Sequence, residues 1–414
     1  MNLLKNVLEQ KLAGLKEKGN YRYFLEVNKS AQHFPNFYYQ NEQGIQRSAI
    51  NWCSNDYLCM STEEEVISRL SFTMHRTGTG SSGTRNISGT TIHHRELETK
   101  LASWHKKESA LLFNGAYQAN VTSLQTLGRH IPELVFISDE RNHASLIEGM
   151  RAAGNRKIIF RHNDMDHLQQ ILAGLPLDQP KIIVFESVYS ITGTMAPIKE
   201  ITSLAKIFRA NTYVDEVHAV GIYGADGSGL VASEGLQNEV DIINGTLSKA
   251  IGVFGGYITA SALLVDFVRS FGSGFIFTTS LPPAICSAAT RSIDLITSYP
   301  QWRTELLDSV QLLRASLRQS GVVFAENDSH ITSIPVGDSR LCKSVADALL
   351  YQQGIYLQPI NPPTVPEGEA CLRIVITRRH LPKHIHHLAH SLKKILHEKN
   401  QANRPEFEAV AAAD

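Results

Sequence analysis

The sequence predicts an α/β fold in which a large domain has a mainly parallel sheet covered by helices and is followed by a smaller α+β domain. Six β-prone runs alternate with helical stretches in the middle of the chain, over residues 134–139, 157–162, 181–187, 212–216, 241–245 and 255–261. Such alternation is typical of parallel sheets, whose strands are buried on both faces and connected by helices. Beyond residue 296 the pattern changes to long helices mixed with short strands, which favours a separate α+β domain.

The length of the chain, 414 residues, exceeds that of one ordinary domain and is enough to bury a sizeable core. Changes of pattern place an N-terminal helix and arm at residues 1–50, the large domain at 51–295, the small domain at 296–400 and a tail at 401–414. The 40 basic residues are balanced by 40 acidic ones, so no overall charge attracts nucleic acid or an anionic membrane. An anionic substrate would have to be bound by individual residues.

Cysteine usage and the lack of targeting signals predict a cytoplasmic protein. The five cysteines are odd in number and show no CxxC spacing, which argues against a disulfide framework and against a zinc ribbon. The sequence shows no signal-peptide core and no apolar run long enough to cross a membrane. His386 and His390 are one helical turn apart, but no carboxylate or cysteine completes a metal site, so we predict no metal.

Apolar spacing predicts the elements that precede the sheet. Helices are expected over residues 1–18, 63–77 and 96–105, and the first of them ends at Gly19. A strand near residues 49–53 breaks into a polar turn. In the small domain we expect two helices and three strands before a final helix, over residues 302–319, 330–336, 342–353, 355–360 and 371–377.

A glycine-rich loop raises the possibility of a dinucleotide-binding oxidoreductase. Gly78, Gly80 and Gly83 satisfy the spacing GxGxxG. That motif requires a strand before it and a helix opening inside it, whereas a helical pattern precedes it here. We therefore interpret the loop as one that lets backbone and small hydroxyls approach a small substrate closely.

A second glycine turn, at Gly115, joins a strand-like run to a helical one. The amides of Ala116 and Tyr117 at the start of that helix would form an anion-binding cradle suited to a phosphate. An ordinary strand-to-helix turn would give the same sequence pattern.

Polar side chains follow several strands of the predicted sheet at the point where each strand ends. The set consists of Ser138 with His143, His162, Ser190, Asp215 with His218, and Thr246 with Lys249. Because ligands of open α/β sheets bind at the carboxyl edge of the strands, this repetition predicts a site built across that edge.

Asp215 and Lys249 suggest the chemistry of this site. An amine among apolar and glycine neighbours is a candidate for a Schiff base, and a carboxylate could keep a pyridine nitrogen protonated. The pair therefore predicts pyridoxal phosphate (PLP), with Lys249 holding its aldehyde carbon and Asp215 pairing with its ring nitrogen. On these two residues alone, an Asp that closes a strand and a Lys in a solvated loop explain the pattern equally well.

Longer motifs extend over almost the whole chain, from residue 1 to about 398. They keep a fixed order: NWCSNDYL, GTRNISGT, RNHASLIEGMR, FESVYS, YVDEVHAVG, NGTLSKA, FIFTTSLPP and QPINPPTVP. In this order and spacing the chain resembles the α-oxoamine synthases. The resemblance implies a fold-type I PLP-dependent transferase that is a homodimer with shared active sites. It also implies an acyltransferase that condenses glycine with succinyl-CoA to 5-aminolevulinate, CoA and CO2 for haem and porphyrin biosynthesis.

The same resemblance implies roles for individual residues. Lys249 would be the catalytic lysine, which binds PLP and removes the glycine α-proton. The implied cofactor contacts are Ala116, Tyr117, His143, Ser190, Asp215, His218 and Thr246, with Thr278 and Thr279 reaching the phosphate from the neighbouring subunit. The implied substrate contacts are Arg22, Asn55, Thr84, Ser138, Lys157, Thr364 and Arg373. Among these, Arg22 would meet the succinyl carboxylate and Arg373 the glycine carboxylate, which an arginine can hold bidentately.

The chain also departs from the family pattern. Cys59 stands where a glycine is usual, and Thr192 and Thr194 stand where aspartates are usual. Alternatives to the glycine and succinyl-CoA activity are a sister synthase with another amino acid or acyl-CoA, an enzyme that supplies a secondary metabolite, and a catalytically inactive binding module.

Overall fold

The computed structural model describes residues 3–402, and they form two compact units. One unit comprises Asn55–Leu306. The other comprises the described residues up to Ser54 and those from Leu307 onward. The domain boundaries that we placed after residues 50 and 295 stay predictions.

Helices and strands alternate strictly between residues 109 and 246, and elsewhere in the described chain elements of one kind follow each other. The strands are β1 (Asn28–Lys29), β2 (Asn36–Gln40), β3 (Gln46–Asn51), β4 (Ser109–Phe113), β5 (Val135–Asp139), β6 (Lys157–Phe160), β7 (Lys181–Glu186), β8 (Asn211–Asp215), β9 (Ile242–Thr246), β10 (Gly256–Ala260), β11 (Thr332–Gly337), β12 (Ile355–Tyr356), β13 (Pro359–Ile360) and β14 (Ala370–Ile374). The α-helices are α1 (Leu3–Glu17), α2 (Glu64–Thr77), α3 (Ile92–Trp104), α4 (Ala116–His130), α5 (Ala144–Ala153), α6 (Met165–Ala173), α7 (Ile198–Ile207), α8 (Leu230–Ser233), α9 (Ala262–Phe271), α10 (Ser273–Ile276), α11 (Pro283–Ser298), α12 (Gln301–Ser320), α13 (Ser339–Gln353) and α14 (Pro382–Ala402).

The larger unit contains a seven-stranded sheet in the order β4-β10-β9-β8-β7-β5-β6. The six strands predicted from the sequence are all present in it, as β5 to β10, which confirms the predicted α/β class. The sheet is parallel except for β10, which pairs antiparallel with both of its neighbours. Only residues 247–255 connect β9 to β10, and this connection is too short for the helical crossover that a parallel neighbour requires.

The core of the larger unit lies between this sheet and the helices that cover it. All residues of β5, β7, β9 and β10 are buried, which explains why they appear in the sequence as nearly continuous apolar runs. On one face, Leu124 and Leu127 of α4 and Leu146 of α5 belong to the same buried apolar cluster as Phe136 and Val184 of the sheet. The polar residues at the strand ends are therefore fixed by a closely packed scaffold.

The smaller unit is α+β, as predicted. It contains a four-stranded sheet, in the order β1-β2-β3-β12, and a three-stranded sheet, in the order β11-β14-β13. Strand β12 joins the N-terminal part of the chain to the C-terminal part, because Ile355 and Tyr356 pair in parallel with Ile50 and Asn51.

Several predicted element ends differ from the observed ones by a few residues, and the strand expected over residues 355–360 is divided into β12 and β13. Helix α3 begins at Ile92, four residues before the predicted start, because Thr91 caps it. The backbone amide of Thr91 donates to Nδ1 of His94 at 3.2 Å, and the two side chains lie 2.8 Å apart. At the C-terminus, the first two residues of the predicted tail belong to α14, and residues 403–414 lie outside the described part.

Cys59 has a backbone conformation that explains why a glycine is expected there. Its φ of 60° and ψ of 29° are in the left-handed region, and its side chain is fully buried. We expect Cys59→Gly to leave the free energy of unfolding within about 1 kcal/mol of the parent, because relief of backbone strain offsets the lost packing and the added freedom of the unfolded chain. Urea denaturation measures this difference.

The control at this position is Cys59→Val, which places a branched side chain on the same backbone. We expect it to lower the free energy of unfolding by about 2 kcal/mol or more. If valine were tolerated as well as glycine, the left-handed conformation would not constrain this position.

Candidate active site

Three polar residues lie side by side at the carboxyl edge of the large sheet. Glu186 of β7 pairs in register with Asp215 of β8, which pairs in register with Asn244 of β9. All three are buried. Partners on neighbouring parallel strands present their side chains on the same face, so the three residues form a polar row at the edge where we predicted the site.

The carboxylate of Asp215 is held from both sides. Oδ2 accepts a hydrogen bond from Nδ2 of Asn120 at 2.6 Å, and Oδ1 accepts one from the amide of Val217 at 3.0 Å. Asn120 is fixed in turn, because its Oδ1 accepts from the Tyr213 hydroxyl and its Nδ2 also donates to Ser145. This network holds a negative charge in one orientation inside the core.

Lys249 is half-buried in the turn after β9 and contacts a histidine. Its Nζ lies 2.7 Å from Nε2 of His218, and Nδ1 of His218 lies 2.7 Å from the hydroxyl of Tyr57. Tyr57 and Lys249 are thus connected through one imidazole ring. The structure brings Lys249 and His218 together as the sequence predicted, and it adds Tyr57, which we had not singled out.

His143 is the N-cap of α5, and its position brings it close to the Asp215 network. Its Nδ1 accepts from the amide of Ser145 at 3.2 Å and lies 2.8 Å from the Ser145 hydroxyl, which itself accepts from Asn120. Burial lowers the pKa of His143, and this effect exceeds the opposing one of the Asp215 carboxylate, while Lys249 lowers it further. Burial thus favours the neutral form of the His143 ring.

The start of α4 has the geometry of an anion cradle. The helix begins at Ala116, directly after Gly115, and the ring of Tyr117 meets that of His143 edge to face with centroids 6.2 Å apart. A Cβ atom on Gly256 would lie 2.2 Å from the amide nitrogen of Ala116, so only glycine allows β10 to approach this turn. The first amides of a helix have no carbonyl partner inside it, so the start of α4 is suited to bind an anion.

The other residues expected near a phosphate lie around the same helix. The Gln118 amide donates to the hydroxyl of Thr278 at 2.9 Å, and the Asn114 amide donates to the carbonyl of Thr279 at 3.0 Å. The hydroxyl of Thr246 donates to the carbonyl of Gly255 at 3.3 Å. Within one chain, Thr278 thus contacts the first turn of α4, and Thr279 contacts the residue before Gly115.

Five further residues singled out from the sequence lie in the larger unit. Ser138 is buried, and its hydroxyl accepts from the Asn142 amide at 2.9 Å. The Thr84 hydroxyl donates to Asn86 at 2.7 Å, and Oδ1 of Asn55 accepts from the Tyr57 hydroxyl at 3.3 Å. Ser190 is partly exposed after β7, and Lys157 is exposed at the start of β6. Asn55 is thereby connected through Tyr57 to His218 and Lys249.

Three predicted substrate contacts lie in the smaller unit. Nη2 of Arg22 donates to the hydroxyl of Thr364 at 2.9 Å, although the two residues are 342 positions apart. The structure therefore brings together two residues that we had assigned to the same acyl donor. Arg373 lies on β14, where it pairs in register with Ser333 of β11 and is partly buried.

The glycine-rich loop lacks the context of a dinucleotide site. Gly78 directly follows α2, so a helix and not a strand lies immediately before the loop. The loop packs instead against residues 278–281, through a bridge between Thr84 and Thr279 and through the amide of Ser280, which donates to Gly83. Within residues 3–402, no group of three or more His, Cys, Asp or Glu side chains is arranged to hold a metal ion, and none of the helices is long and apolar enough to cross a bilayer.

Three residues at this site escaped the sequence analysis: Tyr57, Asn120 and Glu186. Asn120 appears in the sequence as an ordinary helical residue, and only the packing of α4 brings it to Asp215. Tyr57 and Glu186 occur inside two quoted motifs, NWCSNDYL and FESVYS. Those motifs were therefore the available signal, but spacing alone does not show which of their side chains point into the site.

Comparison with known proteins identifies the class to which this fold and site belong. The family model "Aminotransferase class I and II" matches residues 47–392, so the chain belongs to that family. The 5-aminolevulinate synthase of Paracoccus denitrificans is 45% identical over 390 residues, covering 94% of this chain and 95% of that protein. The 5-aminolevulinate synthase of Rickettsia prowazekii is 42% identical and covers 96% of this chain and 95% of that protein. Within the class, the chain is thus a member of the 5-aminolevulinate synthases.

Solved structures show the same fold. A serine palmitoyltransferase from S. paucimobilis, solved with a bound PLP-myriocin aldimine, superposes with a TM-score of 0.87 at 28% identity, covering 97% of this chain and all of that chain. An 8-amino-7-oxononanoate synthase from Francisella tularensis has a TM-score of 0.73 at 22% identity, covering 85% of this chain and 99% of that chain. The fold class is therefore confirmed as that of fold-type I PLP-dependent enzymes.

Proposed function

We propose that this protein binds PLP and condenses glycine with succinyl-CoA to 5-aminolevulinate, CoA and CO2. The observation that carries the proposal is the pairing of a fixed buried carboxylate, Asp215, with an amine, Lys249, at one sheet edge. This arrangement occurs in a chain that is 45% identical to a 5-aminolevulinate synthase. Both groups are those that PLP chemistry requires.

The residues present fit the cofactor. Buried polar atoms of Glu186 and Asn244, on either side of Asp215, have no hydrogen-bond partner among the described residues, which suits a site completed by a polar ligand. The amides at the start of α4 provide for a phosphate. When bound, PLP supplies an aldehyde that captures the Lys249 amine and a ring that accepts electrons from the α-carbon of glycine.

The protein residues would then hold charges and move protons. Asp215 would keep a ring nitrogen protonated, since its two oxygens are already oriented by Asn120 and Val217. His143 would stack on the ring. Once released, the Lys249 amine would take the α-proton of glycine, with His218 next to it to share the charge.

The predicted substrate contacts would determine which acyl donor the enzyme accepts. Arg22 would bind the far carboxylate of the succinyl group, and its contact with Thr364 orients the guanidinium. Arg373 would bind the glycine carboxylate. Ser138 and Lys157 are proposed to contact succinyl-CoA, and Asn55 and Thr84 are proposed to line the pocket of its acyl group.

Replacing Arg22 tests this assignment of the acyl site. We expect Arg22→Leu to lower kcat/KM for succinyl-CoA by roughly 10- to 100-fold, because a charge-assisted contact worth about 1.5 to 3 kcal/mol is lost. The KM for glycine should stay near its parent value. Arg47→Leu, in the exposed part of β3, is the matched control. Equal falls in kcat/KM for succinyl-CoA and for glycine would contradict a specific role of Arg22 in binding the succinyl group.

Steady-state assays of glycine or alanine, each combined with succinyl-CoA or a fatty acyl-CoA, test the overall proposal. We expect turnover with glycine and succinyl-CoA to dominate. Preference for a neutral acyl donor would instead identify a sister synthase. No turnover with any pair would identify a binding module.

We further propose a homodimer in the cytoplasm that supplies 5-aminolevulinate for haem and porphyrins. None of the five cysteines, which all lie within residues 3–402, forms a disulfide, and this agrees with a reducing compartment. The dimer rests on the resemblance, which implies that Thr278 and Thr279 act on the neighbouring subunit's PLP. Light scattering of the purified protein would test the dimer.

A further inference from the structure

Asn120 is a buried amide that lies between two of the proposed cofactor contacts, Asp215 and His143. Only 1% of its surface is exposed, and its position on α4 brings its side chain against β8 and against the start of α5. A Cβ atom on Gly149 of α5 would lie 3.0 Å from the carbonyl oxygen of Asn120, so the glycine allows the two helices to approach closely. The reaction described above uses both cofactor contacts, but the amide that connects them has no assigned task.

The neighbours of Asn120 fix the direction in which its amide points. Its Nδ2 lies 2.6 Å from Oδ2 of Asp215, and an ionised carboxylate can only accept a hydrogen bond. Its Oδ1 accepts from the hydroxyl of Tyr213 at 2.9 Å. A flipped amide would place two oxygens against each other at Asp215. The NH₂ group is therefore held toward Asp215.

Tyr213 belongs to the same strand as the carboxylate that it supports. The two residues are two positions apart on β8, so their side chains lie on the same face of the sheet. Tyr213 is fully buried in the apolar cluster beneath α4, and its hydroxyl binds the oxygen end of the Asn120 amide. Its effect on Asp215 is therefore transmitted by Asn120.

The same NH₂ group reaches His143 through a serine. Nδ2 of Asn120 donates to the Ser145 hydroxyl at 2.9 Å, and this hydroxyl lies 2.8 Å from Nδ1 of His143. The backbone amide of Ser145 also donates to Nδ1, at 3.2 Å. Because a backbone N–H can only donate, Nδ1 must accept, and the proton of the imidazole is then on Nε2. The Ser145 hydroxyl accepts from Asn120, so its own hydrogen is directed to Nδ1.

We propose that Asn120 is a positioning residue that fixes two contacts of the PLP ring at once, and that Tyr213 sets the direction of its amide. Tyr213 donates to Asn120, which donates to Asp215 and to Ser145, and Ser145 donates to His143. Asp215 is thereby held for the ring nitrogen, and His143 is held in one tautomer and one orientation. This inference rests on PLP binding as proposed above, but not on the identity of the substrates.

Two buried tyrosines of the same sheet separate positioning from stability. Tyr213→Phe removes the hydroxyl that donates to Asn120. Tyr257→Phe is the matched control, because it removes an equally buried hydroxyl that lies 2.8 Å from Nε2 of His105 and is not a proposed PLP contact. Each purified enzyme is stripped of PLP and retitrated without substrates, and the Tm of each apoprotein is recorded. We expect both variants to lower Tm, but only Tyr213→Phe to weaken PLP binding, by about threefold to tenfold.

Asn120→Leu removes all hydrogen bonds of the amide but keeps its approximate shape. We expect it to weaken PLP binding by about tenfold or more, because two contacts of the ring lose their support. Parent-like PLP affinity in Tyr213→Phe or in Asn120→Leu, or an equal loss in Tyr257→Phe, would overturn the inference. A parent that binds no PLP would overturn the proposed function as well, whereas a parent that binds PLP but fails the substrate assays would overturn the function alone.

The tautomer of His143 is a second readout, which needs neither PLP nor the folding of a Tyr213 or Asn120 variant. The histidine nitrogens of the full-length apoprotein are labelled with ¹⁵N and observed by NMR, and the His143 signals are those missing from His143→Gln. We expect the chemical shift of an unprotonated nitrogen for Nδ1 and that of a protonated one for Nε2. A proton on Nδ1 would contradict the direction of these hydrogen bonds and overturn the inference.

Discussion

Lys249→Ala is expected to reduce kcat for 5-aminolevulinate formation by about 10⁴-fold or more. The amine of Lys249 has two proposed tasks, since it binds the PLP aldehyde and then removes the α-proton of glycine. Loss of a nucleophile that also serves as the base removes both contributions at once. Assays of 5-aminolevulinate with saturating glycine and succinyl-CoA measure the loss.

The absorbance spectrum of bound PLP provides an independent observation on Lys249→Ala. Lys249→Ala should still bind PLP through Asp215 and the helix α4 amides, but the absorbance of the lysine adduct should be missing. The matched control is Lys199→Ala in the exposed first turn of α7, which should keep both the spectrum and kcat. Full activity in the absence of Lys249 would be incompatible with the proposed mechanism.

Lysine at position 249 could be selected from the sequence because it follows a strand and lies among glycines and small residues. The strands β5 to β10 were also predictable, because most of them are buried on both faces and contain apolar runs that lead to polar residues at or near their ends. The alternation of these strands with helices then placed Asp215 and Lys249 at one edge. These features depend on local sequence, which is why they could be found without the structure.

The partners of these residues depend on packing and could not be found in the same way. Asn120 is 95 positions from Asp215, and Tyr57 is 161 positions from His218. Spacing along the chain contains no information on contacts at such a separation. Likewise, the antiparallel direction of β10 follows from a short connection rather than from its composition. Only the resemblance implied that Arg22 and Thr364 bind the same substrate, and it did not imply the hydrogen bond between them.

The conservative substitution Asp215→Asn is expected to lower kcat by about 10² to 10³-fold. Both oxygens of the native carboxylate accept hydrogen bonds, from Asn120 and from the amide of Val217. The amide of an asparagine would turn its NH₂ group toward one of these donors, and no charge would remain to hold the ring nitrogen protonated. Loss of one preorganised electrostatic contact costs roughly 2.7 to 4 kcal/mol in the transition state.

Asp241→Asn is the control, because Asp241 is a structural acceptor at the opposite end of the same sheet. Its Oδ2 accepts from the amide of Thr212 at 2.8 Å and from the Thr212 hydroxyl at 3.1 Å. Thermal unfolding should show a lower Tm for this variant, while kcat should stay near that of the parent.

The comparison of the two variants separates charge from structure. Both lose an acceptor that holds backbone at a strand end of the sheet, so a purely structural role of Asp215 would make them alike. A role in keeping the ring nitrogen protonated predicts a fall in kcat for Asp215→Asn alone, larger than any fall in PLP affinity, because the negative charge matters most when electrons flow into the ring. If both variants lost the same amount of Tm and kept the parent kcat, Asp215 would not be the residue that enables the PLP ring to accept electrons.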